Sequence, residues 1–177
     1  LRLVNSSTGF YVLGWQADAN GVVDPAGPVG PITIPIGQQL DAVASTEIMV
    51  QGNLDATTDP ASPTPHFVAK VGVIDSLGFR HEFEIQFEKT GNGTWQFDVL
   101  DPSNSGVSVT SNTLNFDQDG NFDPGNPPQQ YSFSWQPPTG ANLMNIELDF
   151  SKLTQLKSMS TANAAANGAP AGSLTTF

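Results

Sequence analysis

The chain has 177 residues, of which only 13% are charged, yet Asp and Glu outnumber Lys and Arg by 17 to 6 and give a formal net charge of −11. That balance argues against nucleic acid or an anionic membrane surface as a partner, since either needs clustered Lys and Arg. It predicts a soluble, self-repelling monomer. There is no cysteine, which excludes disulfides and thiolate metal sites, and no apolar run is long enough to span a bilayer as a helix.

Gly (17) and Pro (14) fall between apolar runs, and no segment repeats apolar residues at helical spacing, so the pattern predicts an all-β chain. In chain order, "LRLVNSSTGFYVLGW" opens at Leu1 without an initiator Met, and "AGSLTTF" ends the chain without a closing element. The expectation is the middle of a longer protein. "GVVDPAGPVGPITIPIG" (21–37) reads as an extended connector in which proline prevents regular pairing. "STEIMVQGNLD" and "FVAKVGVID" are strand candidates with less regular faces, separated by the polar loop "DATTDPASPTP" (55–65).

The clearest alternation follows. In "HEFEIQFEK", Phe83, Ile85 and Phe87 alternate with Glu82, Glu84, Gln86 and Glu88; in "TWQFDV", Trp95, Phe97 and Val99 alternate with Thr94, Gln96 and Asp98. "TGNG" (90–93) tolerates positive φ, so the two strands close as a hairpin with one apolar and one acidic face. "YSFSW" places Tyr131, Phe133 and Trp135 on one side, and "NIELDF" does so with Ile146, Leu148 and Phe150. The strand count across 101–145 stays open, and "MSTANAAANGAP" (159–170) reads as a loop or a poorly specified strand.

Several groups qualify as candidate sites. Glu82 and Glu84 share one strand face, with Cα atoms about 6.6 Å apart on strand geometry. A glycosidase needs one such carboxyl raised by an apolar pocket, but alternation sends the aromatics to the other face. A solvated face is favoured, and the mild repulsion between its acids implies either exposure or nearby bases such as Arg80 and Lys89. "DQDGNFDPGN" (117–126) has Gly120 fourth and Pro128 twelfth and no flanking helix, which fails the calcium-loop pattern. Asp119-Gly120 is read as a turn. His66 and His81 sit in no metal-ligand spacing and are expected on turn or strand surface. "NSS" (5–7) and "NGT" (92–94) match a short glycosylation pattern of low specificity, and Tyr11, Trp15 and Phe122 are candidate rings for sugar stacking. From the residues alone, the chain is an acidic binding or structural β domain with no catalytic, cofactor or metal site.

Four stretches in order resemble the hook proteins of bacterial flagella. "GFYVLGWQADANG" is similar to a glycine-aromatic segment of that family's inner domain, and "ITIPIGQQLDAVASTEIMVQGNLDATTDP" to its passage from inner to outer domain. "VGVIDSLGFRHEFEIQFEKTGNGTWQFDV" resembles its most recognisable block, and "ANGAPAGSLTTF" its return to the inner domain. The resemblance implies an outer, barrel- or sandwich-like β domain (45–150) inserted into a discontinuous, partial inner β domain (1–44 and 151–177). It implies that Asp75, Ser76, Leu77 and Gly78 form a turn of the outer domain, with Gly78 permitting the reversal. Gly9, Gly14, Trp15, Gly168, Gly172 and Leu174 would belong to the inner domain.

By that resemblance the function is structural: a non-enzymatic subunit of the curved tube that joins motor to filament. The tube would be built by self-association of the full-length protein, with distal rod, hook cap and hook–filament junction proteins as further partners. Export through the flagellar type III pathway to the cell exterior would follow. The alternatives are a distal-rod protein and a carbohydrate-binding or adhesin-like β-sandwich.

Overall fold

The computed structural model describes residues 2–18, 22–34, 39–104, 106–125 and 128–173. Leu174 lies outside them. The chain divides into two compact units, Leu1–Leu40 with Gly172–Phe177, and Asp41–Ala171. Among the described residues there are no helices, and thirteen strands follow one another as β1 to β13.

The smaller unit is built from short pairings. β1 (Leu13–Gly14) runs antiparallel to β2 (Gly30–Pro31), and β3 (Gln39–Leu40) pairs with β13 (Gly172–Ser173). Single bridges join Arg2 to Thr33 and Val4 to Tyr11. The connector over 21–37 is therefore not wholly unpaired: among its described residues, Gly30 and Pro31 pair in β2 and Thr33 forms a bridge. Side chains supply what the ladders lack: the Trp15 indole N–H donates to the Gly27 carbonyl at 2.9 Å, and the Gln16 amide bonds Thr33 through both its donor and its acceptor.

The larger unit is two sheets face to face. One is the antiparallel run β5 (Phe67–Ile74), β6 (Arg80–Gly91), β7 (Thr94–Leu100), β8 (Ser108–Phe116) and β9 (Phe122–Asp123). The other has the order β10 (Tyr131–Trp135), β11 (Met144–Leu156), β4 (Glu47–Asp55), β12 (Asn163–Ala166), with β11 and β4 parallel. The alternating residues of the hairpin all reach the core: Phe83, Ile85, Phe87, Trp95, Phe97 and Val99 are each fully buried. From the facing sheet come Tyr131, Phe133, Trp135, Ile146, Leu148 and Phe150. Rings meet across the interface, Phe83 with Phe133 at 5.4 Å and Phe97 with Phe150 at 4.8 Å between centroids. Burying each such side chain stabilises the fold by about 1.5–3 kcal/mol. The outcome is the expected all-β, sandwich-like domain.

β11 carries a bulge. Met49 opposes Asp149 but Gln51 opposes Lys152, so β11 holds one residue more than β4 over this interval. Because side chains alternate with period two, the extra residue moves the buried set from even positions (Met144 to Phe150) to Leu153. β11 thereby continues to Leu156, and β12 pairs with β4 through Ala164↔Val50. Residues 151–171 consequently pack with the larger unit, so the boundaries expected at 44/45 and 150/151 fall inside it. Where the chain enters and leaves this unit, Val43 and Ala169 exchange two backbone hydrogen bonds of 2.8 and 2.9 Å.

Candidate functional site

The acidic hairpin face is open and lightly neutralised. Glu82 is exposed and Glu84 half-buried, and with Leu100, Asp101, Pro102 and Gly106 they line a shallow depression of about 210 Å³. On this face Lys70 of β5 forms an ion pair, its ammonium 2.8 Å from the Glu84 carboxylate. Neither of the expected bases forms that pair. The Arg80 guanidinium lies over Gly72, where a Cβ would collide with it. Lys89 is only 4% exposed, and its Nζ donates to the carbonyls of Ala56 and Thr58. Its position explains this, since Lys89 is in phase with Phe83, Ile85 and Phe87 and so points inward.

The densest polar constellation is centred on Asp75, which is fully buried. Its Oδ1 accepts the backbone N–H groups of Leu77 (2.9 Å) and Phe79 (3.0 Å), while Oδ2 accepts the Thr139 hydroxyl (2.7 Å) and lies 2.8 Å from His81 Nε2. Burial pushes the Asp75 carboxyl up, but the hydrogen bonds from His81, Thr139, Phe79 and Leu77 outweigh it and hold its pKa below the usual value. Ser76 Oγ accepts the Asn142 N–H at 2.9 Å, so the turn is tied twice to the loop between β10 and β11. Gly78 has φ +89° and lies against Ala42 and Ala171. Asp75 to Gly78 thus form a turn, and its buried acid joins it to β6 and to the 139–142 loop.

Asp75 beside His81 has the outline of an acid–base pair, but the chemistry stops there. The hydroxyl within reach, Thr139, donates to Asp75 and not to His81, so no nucleophile is aligned on the imidazole. The His81 ring instead meets Trp135 edge-on at 4.8 Å. His66 accepts the Lys89 N–H at Nδ1 (2.8 Å) and has the Ser62 carbonyl 3.3 Å from Nε2. Both histidines, expected on the surface, are strand and loop fasteners that are largely enclosed. Their polar rings sit beside aromatics because each nitrogen used has a partner. Among the described residues no group of three His, Asp or Glu is arranged to hold a metal ion.

The remaining candidates resolve individually. Asp117 Oδ1 accepts the N–H groups of Asp119 (2.9 Å) and Asn121 (2.8 Å), which closes the Asp119-Gly120 turn and engages the carboxylate that a calcium ion would need. The Asn121 N–H above all holds the Asp117 carboxyl below its usual pKa. Tyr11 is half-exposed with the Arg2 guanidinium 5.3 Å over its ring, and Trp15 is 45% exposed with its N–H engaged by Gly27. Phe122 is half-buried: it packs against Phe116, Tyr131 and Phe150 and lines an open depression beside Gln129 and Glu147.

Three fastening residues escaped the sequence reading. Asn53 is buried in β4, where its Oδ1 accepts the Leu156 N–H and its Nδ2 donates to the Ser158 carbonyl. Asn167 caps the start of β4 by accepting from the N–H groups of Thr46 and Glu47. Asp101 accepts the Trp135 indole N–H at 3.0 Å. Burial raises its carboxyl, and the bonds from Ser103, Trp135 and Asn104 bring it below the usual value. No local signal marks Asn53, because β4 also carries Glu47, Gln51 and Asp55.

Comparison with known proteins follows the same outline. The family model described as "Flagellar basal body protein FlaE D2 domain" matches residues 41–169. The chain is 30% identical over 130 residues to the flagellar hook protein FlgE of Salmonella typhimurium, a match covering 67% of this chain and 31% of that protein. It is 30% identical over 164 residues to that of Rhizobium meliloti, covering 88% and 39%. The chain therefore spans about a third of the length of these curated relatives. In fold it is similar to the crystal structure of Helicobacter pylori flagellar hook protein FlgE2, with a TM-score of 0.59 at 11% identity over 97% of this chain and 72% of that one.

Proposed function

This chain belongs to the flagellar hook protein family, and from that premise we propose that it is part of a structural subunit of the hook. The observation that carries the reading is the coincidence of two independent limits: the family match runs from 41 to 169, and the compact unit runs from Asp41 to Ala171. In this reading the larger unit is the outer domain and the smaller one is part of the inner domain. The full-length protein then repeats head-to-tail by heterologous contacts into a curved tube outside the cell. Export by the type III pathway, and contacts with rod, cap and junction proteins, belong to the same proposal.

The site geometry supports a mechanical rather than a catalytic role. Asp75, Asp101, His66, His81 and Lys89 each spend their polar atoms on holding turns and loops. A stiff domain of this kind transmits torque without internal rearrangement, and its polar outer faces suit contacts that break and re-form. The distal-rod and carbohydrate-binding alternatives are not favoured by the comparisons. For the latter, Phe122 is half-buried among the rings of the core and the Trp15 N–H is engaged.

Electron microscopy of the full-length parent after concentration in a polymerising salt, beside the 177-residue chain, tests the proposal. Curved tubes from the parent, with the shorter chain monomeric, are expected. Straight rods move the protein to the rod family, and the absence of any polymer overturns the reading.

A further inference from the structure

The dipeptide Asn-Gly occurs three times, at 20–21, 92–93 and 167–168, the first lying outside the described residues. The other two stand in opposite surroundings. Asn167 is clamped: its Oδ1 accepts the Thr46 and Glu47 N–H groups at 2.8 and 3.1 Å, and its Nδ2 donates to Thr46 Oγ1 at 3.0 Å. Its carbonyl accepts the Ser45 hydroxyl, and its own N–H donates to the Glu47 carbonyl at 3.1 Å. Asn92 is exposed at the tip of the β6–β7 hairpin, between Gly91 and Thr94, which close the ladder. The neighbouring hydroxyl of Thr90 bonds the Thr94 carbonyl at 3.3 Å rather than the Asn92 amide.

We infer that Asn92 is a site of spontaneous deamidation, and that Asn167, carrying the same sequence signal, is protected by the fold. In the step, the Gly93 backbone nitrogen, deprotonated by hydroxide, attacks Asn92 Cγ. A C–N bond forms, the bond to Nδ2 breaks, and ammonia leaves with the proton it needs from water. Water then opens the resulting five-membered imide at either carbonyl and leaves aspartate or isoaspartate. Glycine at 93 matters because no Cβ shields its nitrogen. At Asn92 the attack requires only adjustment of a solvent-exposed turn. At Asn167 it requires local opening that breaks several hydrogen bonds at once, which slows the reaction by roughly tenfold or more.

The product adds a carboxylate to the end of a hairpin face that already carries Glu82, Glu84 and Glu88. Under the proposed function this puts a time-dependent negative charge on a polar contact face of the domain. The chemistry at Asn92 does not depend on that reading.

The test is a time course of the folded 177-residue chain in mildly alkaline buffer, followed by peptide mapping that distinguishes Asn, Asp and isoaspartate. A parallel series is run in urea. The expected result is conversion at 92 at least tenfold faster than at 167 when folded, converging to similar rates when unfolded, with Asn92→Gln abolishing the product at 92. Equal rates at the two sites in the folded chain overturn the inference. So does conversion at 92 that appears only in urea.

Discussion

Two turns of the larger unit use the same local grammar and do different work. Asp75–Gly78 and Asp117–Gly120 each begin with an aspartate whose Oδ1 accepts N–H groups two and four residues on, and each ends with a glycine at positive φ, +89° and +80°. Asp117 stays in solvent and its turn is joined to β11 by backbone, Gln155 donating to the Gly120 carbonyl at 2.7 Å. Asp75 is buried, and its second oxygen reaches His81 and Thr139, the latter 64 residues away. A short motif fixes the shape of a turn. Whether that turn also fastens distant chain depends on where the fold puts the unused carboxylate oxygen.

That contrast can be broken most sharply at Asp75. Asp75→Ala leaves two backbone N–H groups, the Thr139 hydroxyl and His81 without their acceptor, and a loss of about 4 kcal/mol in denaturant unfolding is expected. Asp117→Ala removes only the bonds inside its own turn, and its midpoint should move by a clearly smaller amount. Equal losses would mean that the remote partners of Asp75 contribute little.

The glycines come next. A Cβ on Gly120 would lie 2.5 Å from the Gln155 carbonyl oxygen, whereas one on Gly78 would meet Ala42 Cβ at 3.3 Å. Gly120→Ala is therefore expected to cost about 2–3 kcal/mol and Gly78→Ala about 1–2 kcal/mol, both including the strain of positive φ. Thermal melts of the two variants side by side would reverse this order if the Gly78 turn were the tighter one.

Acid titration sharpens the comparison further. Asp75 and Asp117 both have folded pKa values below the unfolded value of about 3.9. Their contributions are fully present above that value and are lost as pH falls through the lower folded pKa. Stability measured by urea midpoints should decline below about pH 4, and Asp75→Asn and Asp117→Asn should each flatten that decline. The smallest effect is expected on the open strand face. Charge reversal at Glu82, Glu84 and Glu88 should leave the melting temperature of this chain nearly unchanged, because exposed ion pairs such as Lys70–Glu84 contribute little. Under the proposed function, the same change in the full-length protein should alter hook curvature or swimming.

How much of this was legible depended on periodicity. The β6–β7 hairpin and the apolar sides of β10 and β11 were readable because every second residue is large and apolar. Lys89 was misread as a base of the acidic face: its place in phase with Phe83, Ile85 and Phe87 outweighs its charge once two carbonyls are within reach. β8 was hidden, since "SVTSNTLNF" fully buries only Leu114 and Phe116, half-buries Val109, and is otherwise made of Ser, Thr and Asn. The bulge after Asp149 and the parallel pairing of β4 with β11, Glu47 opposite Glu147, connect positions one hundred residues apart. No local pattern encodes such a pairing. The same distance hid Thr139 from Asp75, so the turn was legible in outline and its anchor was not.

The bridge between Val43 and Ala169 gives the larger unit a closed neck, with β4 and β12 running antiparallel inward from it. A load that pulls residues 41 and 171 apart therefore falls on one pair of hydrogen bonds at a time, beginning at the neck. In mechanical terms this is peeling, which yields at low force, whereas the parallel β4–β11 pair behind it must be sheared along its whole length. Where the two ends of this unit are drawn apart, it opens first at the neck and resists next at the parallel pair.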